Sequence, residues 1–147
     1  MNTNRKWFFV AILLIGTFIY LFAVIYGGIR SINDLANASG TPSTLPSFIN
    51  QVILGIGGAL ATHFGAFLGI TFSQGKGLRG LFDPFKALGK PDNMAGGLAI
   101  VYFLSLVVAI ILWGISGFSE NFAIVLKDLA STFIGVFAGA LIVAFKS

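Results

Sequence analysis

The stretch from Gly97 to Gly117 carries no charged residue, and LAIVYFLSLVVAIILWGI within it is almost wholly apolar. A helix rising 1.5 Å per residue needs roughly 20 such residues to cross the hydrocarbon of a bilayer. Three more stretches have comparable length and character: about Trp7–Tyr26, Ile49–Phe72 and Ala123–Phe145. The last is interrupted early by Lys127-Asp128. Backbone polar groups in hydrocarbon must be satisfied within the segment, so spans of this length are helices. The alternating ten-residue segments of a transmembrane barrel are absent from the sequence. The fold class expected is an all-α membrane protein of four spans, built as one polytopic domain over residues 1–147.

Composition agrees. Hydrophobic residues make up 56% of the chain and charged residues 10%, against roughly 25% charged in a soluble domain. That excludes disorder, a disulfide scaffold and an ordinary cytosolic enzyme. With no Cys and one His, a zinc or haem site built by this chain alone is not expected, and no cofactor is assigned. The net charge of +4 is spread thinly over short loops, which reads as topology and not as a nucleic-acid surface. The bilayer is the partner expected first.

Four spans divide the nine cations unevenly. With the N-terminus inside, the inner side holds Arg5, Lys6, Lys76, Arg79, Lys86, Lys90 and Lys146, and the outer side holds Arg30 and Lys127. This positive-inside bias puts both termini in the cytoplasm, in a bacterial or archaeal plasma membrane. Trp7, Tyr26 and Trp113 stand near span ends, where aromatic anchors belong. The first stretch also has the outline of a signal peptide, with Arg5-Lys6 as its basic region and Ala36-Asn37-Ala38 in small-x-small form. Its apolar run exceeds the roughly 7–15 residues of a signal core, so an uncleaved anchor is expected.

An outer loop is expected at about Gly27–Phe48, with Ile29, Ile32 and Leu35 forming one amphipathic turn before SGTPSTLP ends it. An inner loop is expected at about Ser73–Gly96. There Leu78, Leu81, Phe82, Phe85 and Leu88 recur at helical spacing among Arg79, Lys86 and Lys90, the pattern of a short interfacial helix in the cytoplasmic headgroup layer. Gly75-Lys76-Gly77-Leu78-Arg79-Gly80 spells GxGxxG but follows a membrane helix, with no strand before it, so it is not a dinucleotide fingerprint.

Spans two and four resemble each other. Leu60-Ala61-Thr62-His63-Phe64 matches Leu129-Ala130-Ser131-Thr132-Phe133, which suggests two helical hairpins in tandem. Gly57, Ala61, Gly65 and Gly69 form a small-xxx-small ladder in span two, and Ser131, Gly135 and Gly139 form one in span four. Small residues let membrane helices approach closely. These faces are expected to pack, spans two and four against each other or against a partner, leaving Phe64 and Phe67 turned toward lipid or a partner.

Four polar residues enter the apolar stretches. His63 lies near the middle of span two, and Asp128 shares the small face of span four. Asn50 and Gln51 enter from the same side and are expected partners for Asp128. Ionisable residues within a membrane default to a functional reading. The competing reading makes Asp128 the cap of a helix starting at Leu129 and His63 a neutral, bonded side chain. With no nucleophile–base or carboxylate pair in view, the expected function is a non-catalytic accessory or structural subunit of a larger membrane complex. The alternatives are a homo-oligomeric channel or pore, holin-like or ion-conducting, and a small dimeric transporter.

Overall fold

The computed structural model describes residues 3–37, 40–73 and 94–146, with side chains described at 8, 11–37, 40–64, 97–135, 138, 139 and 142. Among the described residues there are four helices: α1 (Thr3–Asn37), α2 (Ser47–Ser73), α3 (Met94–Ile115) and α4 (Ile124–Lys146). No strand occurs among the described residues. Three helices are long and apolar enough to cross a membrane, over Ala11–Asn37, Ser47–Phe64 and Gly97–Ile115. The chain is thus all-helical, with the composition of an integral membrane protein. The interfacial helix expected between Ser73 and Gly96, and the glycine-rich GxGxxG within it, lie outside the described residues.

Two boundaries differ from expectation. α1 does not stop at Tyr26 but continues for three more turns, through Gly27-Gly28 to Asn37. Its extra turns keep the phase of the core: Gly27, Gly28 and Ser31 are buried, and Ile32 and Leu35 pack against the buried cluster. Tertiary packing outweighs the roughly 1 kcal/mol per glycine that helix propensity costs. α4 starts at Ile124, so Asp128 lies inside the helix and is not its cap.

α3 ends where local geometry stops it. The Gly117 N–H donates to the Gly114 carbonyl at 2.9 Å, and the Phe118 N–H to the Trp113 carbonyl at 3.0 Å. That pair is a Schellman motif, which requires a left-handed residue at the position Gly117 fills, and Gly117 has φ +71°. The accompanying apolar contact is an edge-on packing of Phe118 on Trp113, ring centroids 5.2 Å apart. Phe118 itself has φ +55°, a strained value for a large side chain.

α3 is the hub of the bundle. It packs against α1, α2 and most extensively α4, while α1 packs against α2; α4 barely reaches α1 or α2. The core is Tyr20 and Val24 from α1, Ile53, Leu60 and Phe64 from α2, Tyr102, Leu106 and Ala109 from α3, and Leu126, Leu129 and Ala130 from α4. Spacing by three and four places each set on one face of its helix.

The described part of the core uses large residues where small ones were expected in span four: Ser131, Gly135 and Gly139 are exposed and a Cβ at either glycine would meet nothing within 4 Å. Phe64, expected to face lipid or a partner, is buried at 5% exposure against Tyr102 and Phe103, at ring separations of 5.5 and 6.4 Å. Phe133 reaches Phe103 at 5.7 Å, so the two phenylalanines at matching repeat positions both meet Phe103. Large side chains supply most of the dispersion contact at a helix junction, and here they outweigh the closer approach that glycines allow. Of the span-two ladder, Ala61 packs against the core and Gly57 is buried, where a Cβ would lie 3.1 Å from the Tyr20 ring.

Candidate functional site

The described polar groups concentrate at one end of the bundle and on the exposed faces of α2 and α4. At that end the connections α1–α2 and α3–α4 are joined. The Ser43 N–H donates to the Asn121 carbonyl at 2.7 Å, and its hydroxyl donates to Asp34 at 2.9 Å. Asp34 also faces Arg30 at 4.0 Å, one helical turn away. Ser31, fully buried, accepts the Ala123 N–H at 2.9 Å. That donor stands just ahead of α4, whose first N–H groups have no partner within the helix. Trp113 donates its indole N–H to the Ser119 carbonyl at 3.1 Å.

Deeper in the bundle, the Tyr20 and Ser105 hydroxyls meet at 2.9 Å. Ser105 spends its single proton on the Tyr102 carbonyl at 2.6 Å, so Tyr20 is the donor to Ser105. Every buried side-chain polar atom among the described residues has a partner, as burial in an apolar medium demands.

Asp128 is exposed; its backbone carbonyl accepts the Thr132 hydroxyl at 2.8 Å. Gln51 is exposed and Asn50 half-buried, and among the described residues no hydrogen bond joins either to Asp128. His63 is half-buried and has an interaction partner. Lys127 turns outward and donates to the Glu120 carbonyl. Contacts between α1 and α4 set the level of Asp128 along the bundle. Ala123 is level with Ser31, and Leu126 approaches Gly27. Asp128 is therefore about 3 Å further along α4 than the Gly27 level, at 1.5 Å per residue.

Of the small-residue ladders, Gly57 is buried and Ala61 packs against the core, while Ser131, Gly135 and Gly139 are exposed. A Cβ at Gly135 or Gly139 would meet nothing within 4 Å. Gly65 and Gly69 belong to α2, but their surroundings lie outside the described side chains. α4 buries Val125, Leu126, Leu129, Ala130 and Phe133 or packs them on the core, and presents Asp128, Ser131, Thr132, Gly135 and Gly139 on the opposite side. α2 does likewise, exposing Gln51, Gly55, Gly58 and Thr62. All three helices expose large apolar residues, Phe48 and Leu54 on α2, Ile124, Ile134 and Ile142 on α4, and Ile12, Ile15, Phe18, Phe22 and Ile29 among others on α1, but the described exposed residues of α1 include no Gly, Ser or Thr.

No group of three or more His, Cys, Asp or Glu side chains that could hold a metal occurs among the described residues. Sequence reading missed Ser31 and Ser43 because both lay in the stretch taken as loop. The missed signal was phase, since Val24, Gly28 and Ser31 repeat at helical spacing. Compared with known proteins, the chain matches no family model, no curated relative and no solved structure at a significant level.

Proposed function

We propose that this chain is a non-catalytic subunit of a membrane complex, with four spans in two tandem hairpins, both termini cytoplasmic, and α2 and α4 facing neighbouring subunits. The observation that carries the reading is the contrast between exposed faces. α1 offers lipid bulky Ile and Phe side chains with no Gly, Ser or Thr among its described exposed residues, whereas α4, beside Ile124, Ile134 and Ile142, also offers Asp128, Ser131, Thr132, Gly135 and Gly139. Small and hydroxylated residues on a membrane helix favour close contact with another helix. The test is purification of the full chain in mild detergent followed by mass spectrometry. A subunit brings other membrane proteins with it in fixed ratio, and Gly135→Leu, which fills the face without touching the core, releases them. Recovery as a lone monomer would reject the proposal.

The second reading is a homo-oligomeric pore. Its support is that Asp128, Ser131 and Thr132 share one exposed face, in the way polar rings line a lumen. It requires that the purified chain alone makes vesicles conduct, and that Asp128→Asn changes ion selectivity without changing assembly.

A further inference from the structure

Resting on the membrane-spanning part of that reading, we infer that Phe118 is seated among lipid acyl chains. The α3–α4 turn is then a bilayer anchor and not a loop held in water. Phe118 has a left-handed φ of +55°, which a large L-residue rarely adopts. Its ring does not project beyond the end of α3. It folds back along the helix, 5.2 Å from the Trp113 ring and 3.5 Å from the point a Gly114 Cβ would occupy. The residue is still 58% exposed.

Phe118 belongs to a belt. Gly28 faces Leu112, Gly27 faces Ile49, and Ser31 bonds Ala123. At about 1.5 Å per residue, these contacts bring Ile29, Phe48, Ile115, Ile124 and the Phe118 ring to within about one helical turn of a single level. All five residues are largely exposed. They come from all four helices and the turn, so one docked helix would cover only part of the belt, whereas acyl chains reach all of it. Beyond this level the exposed residues of α1 are Arg30, Asn33, Ala36 and Asn37. Large apolar side chains stop where polar ones begin, as they do at the edge of hydrocarbon.

Two further observations agree. Lys127 starts on the apolar side of the belt and reaches back to the Glu120 carbonyl, as a snorkelling lysine does. The turn also satisfies its own backbone. The Gly117 and Phe118 N–H groups donate to α3 carbonyls, and the Asn121 and Phe122 N–H groups to Ser119. Backbone at the edge of hydrocarbon has to be bonded in this way. Gln51 and Asp128, exposed on the apolar side of the belt, lie on the α2 and α4 faces proposed to meet neighbouring subunits.

The test uses the full chain in phosphatidylcholine vesicles, with Trp7→Phe and Trp113→Phe removing both native tryptophans. Phe118→Trp then places a single fluorophore where the ring stands. Bromine on the lipid acyl chains should quench most of its emission, and iodide in the water little. Dominant quenching by iodide would overturn the inference. Resistance to both quenchers would also overturn it, because protein would then cover the ring. A second measurement keeps the native turn, with Trp7→Phe alone and Trp113 as reporter. There Phe118→Leu should leave bromolipid quenching unchanged. Phe118→Asn, which tolerates a left-handed backbone but has no apolar ring, should weaken it and strengthen quenching by iodide. Identical quenching in the two variants would count against the anchor. Leu104→Trp, nearer the middle of α3 and exposed, checks the membrane reading in the chain without native tryptophans. Bromolipid quenching there, with iodide quenching at the turn, rejects the anchor alone; iodide quenching at both positions rejects both.

Discussion

Ser31 shows how much one hydroxyl can fix when it is buried beside a helix start. It bonds an N–H that is distant in sequence and that the α4 helix cannot satisfy itself. Removing it leaves a buried donor unpaired, a cost of about 1–3 kcal/mol. Ser31→Ala should therefore lower stability by that amount in a detergent unfolding titration, while Ser31→Thr, which keeps the oxygen, loses less. Tyr20 is the contrasting case. Tyr20→Phe deletes the donor and leaves Ser105 still bonded to the Tyr102 carbonyl. The expected loss is smaller, about 0.6 kcal/mol by the average of interhelical hydrogen bonds in membranes. Gly28 is held to glycine by contact: a Cβ there would collide with Leu112 of α3. Gly28→Val should cost about 1–3 kcal/mol through overpacking, measured in the same titration. An unchanged midpoint would show that α1 and α3 approach less closely than the structure has them.

At the scale of elements, each helix end and each face has an identifiable cause. The end of α3 depends on Gly117, whose φ of +71° is left-handed. Gly117→Ala should destabilise by about 1–2 kcal/mol, the cost of that conformation for an L-residue; a neutral result would mean that the Schellman turn does not form. The likeness of α2 and α4 extends to burial. Leu60 and Leu129 are both buried, Thr62 and Ser131 both exposed, and Phe64 and Phe133 both meet Phe103. Two similar helices thus use α3 as a common surface and turn their small residues away from it. Much of this was legible in sequence, since the matched pentapeptides and the spacing of small residues are on its surface. Which face turned inward was not legible. Periodicity defines two faces of a membrane helix, but lipid is as apolar as a core, so hydrophobicity does not choose between them.

For the whole molecule, the α1–α2 and α3–α4 connections lie together at one end, joined by Ser43 to Asn121 and Ser31 to Ala123. This joining alters how topology should be tested. Ser43 is buried and bonded to Asp34, so a cysteine there would disturb the contact it reports on. Thr44 is exposed and takes its place. In a chain with no native cysteine, Thr44→Cys should label from outside intact cells and Gly89→Cys only after the inner face is opened. Labelling of both from one side would refute the cytoplasmic placement of the termini.

Helical class, approximate span positions and the uneven distribution of charge follow from the sequence alone. Hydrocarbon length and backbone satisfaction leave a long apolar segment few choices. Asp128 was marked by chemistry, because a carboxylate in an apolar stretch is conspicuous whatever surrounds it. The tertiary structure decided the rest. It carried α1 past Gly27-Gly28, because contacts with Leu112 and Leu45 reward a helix that local propensity would end. It made α3 the hub and buried Phe64. Each outcome depends on which helices become neighbours. That is set by interdigitation of side chains far apart in the chain, a relation that one-dimensional periodicity does not contain.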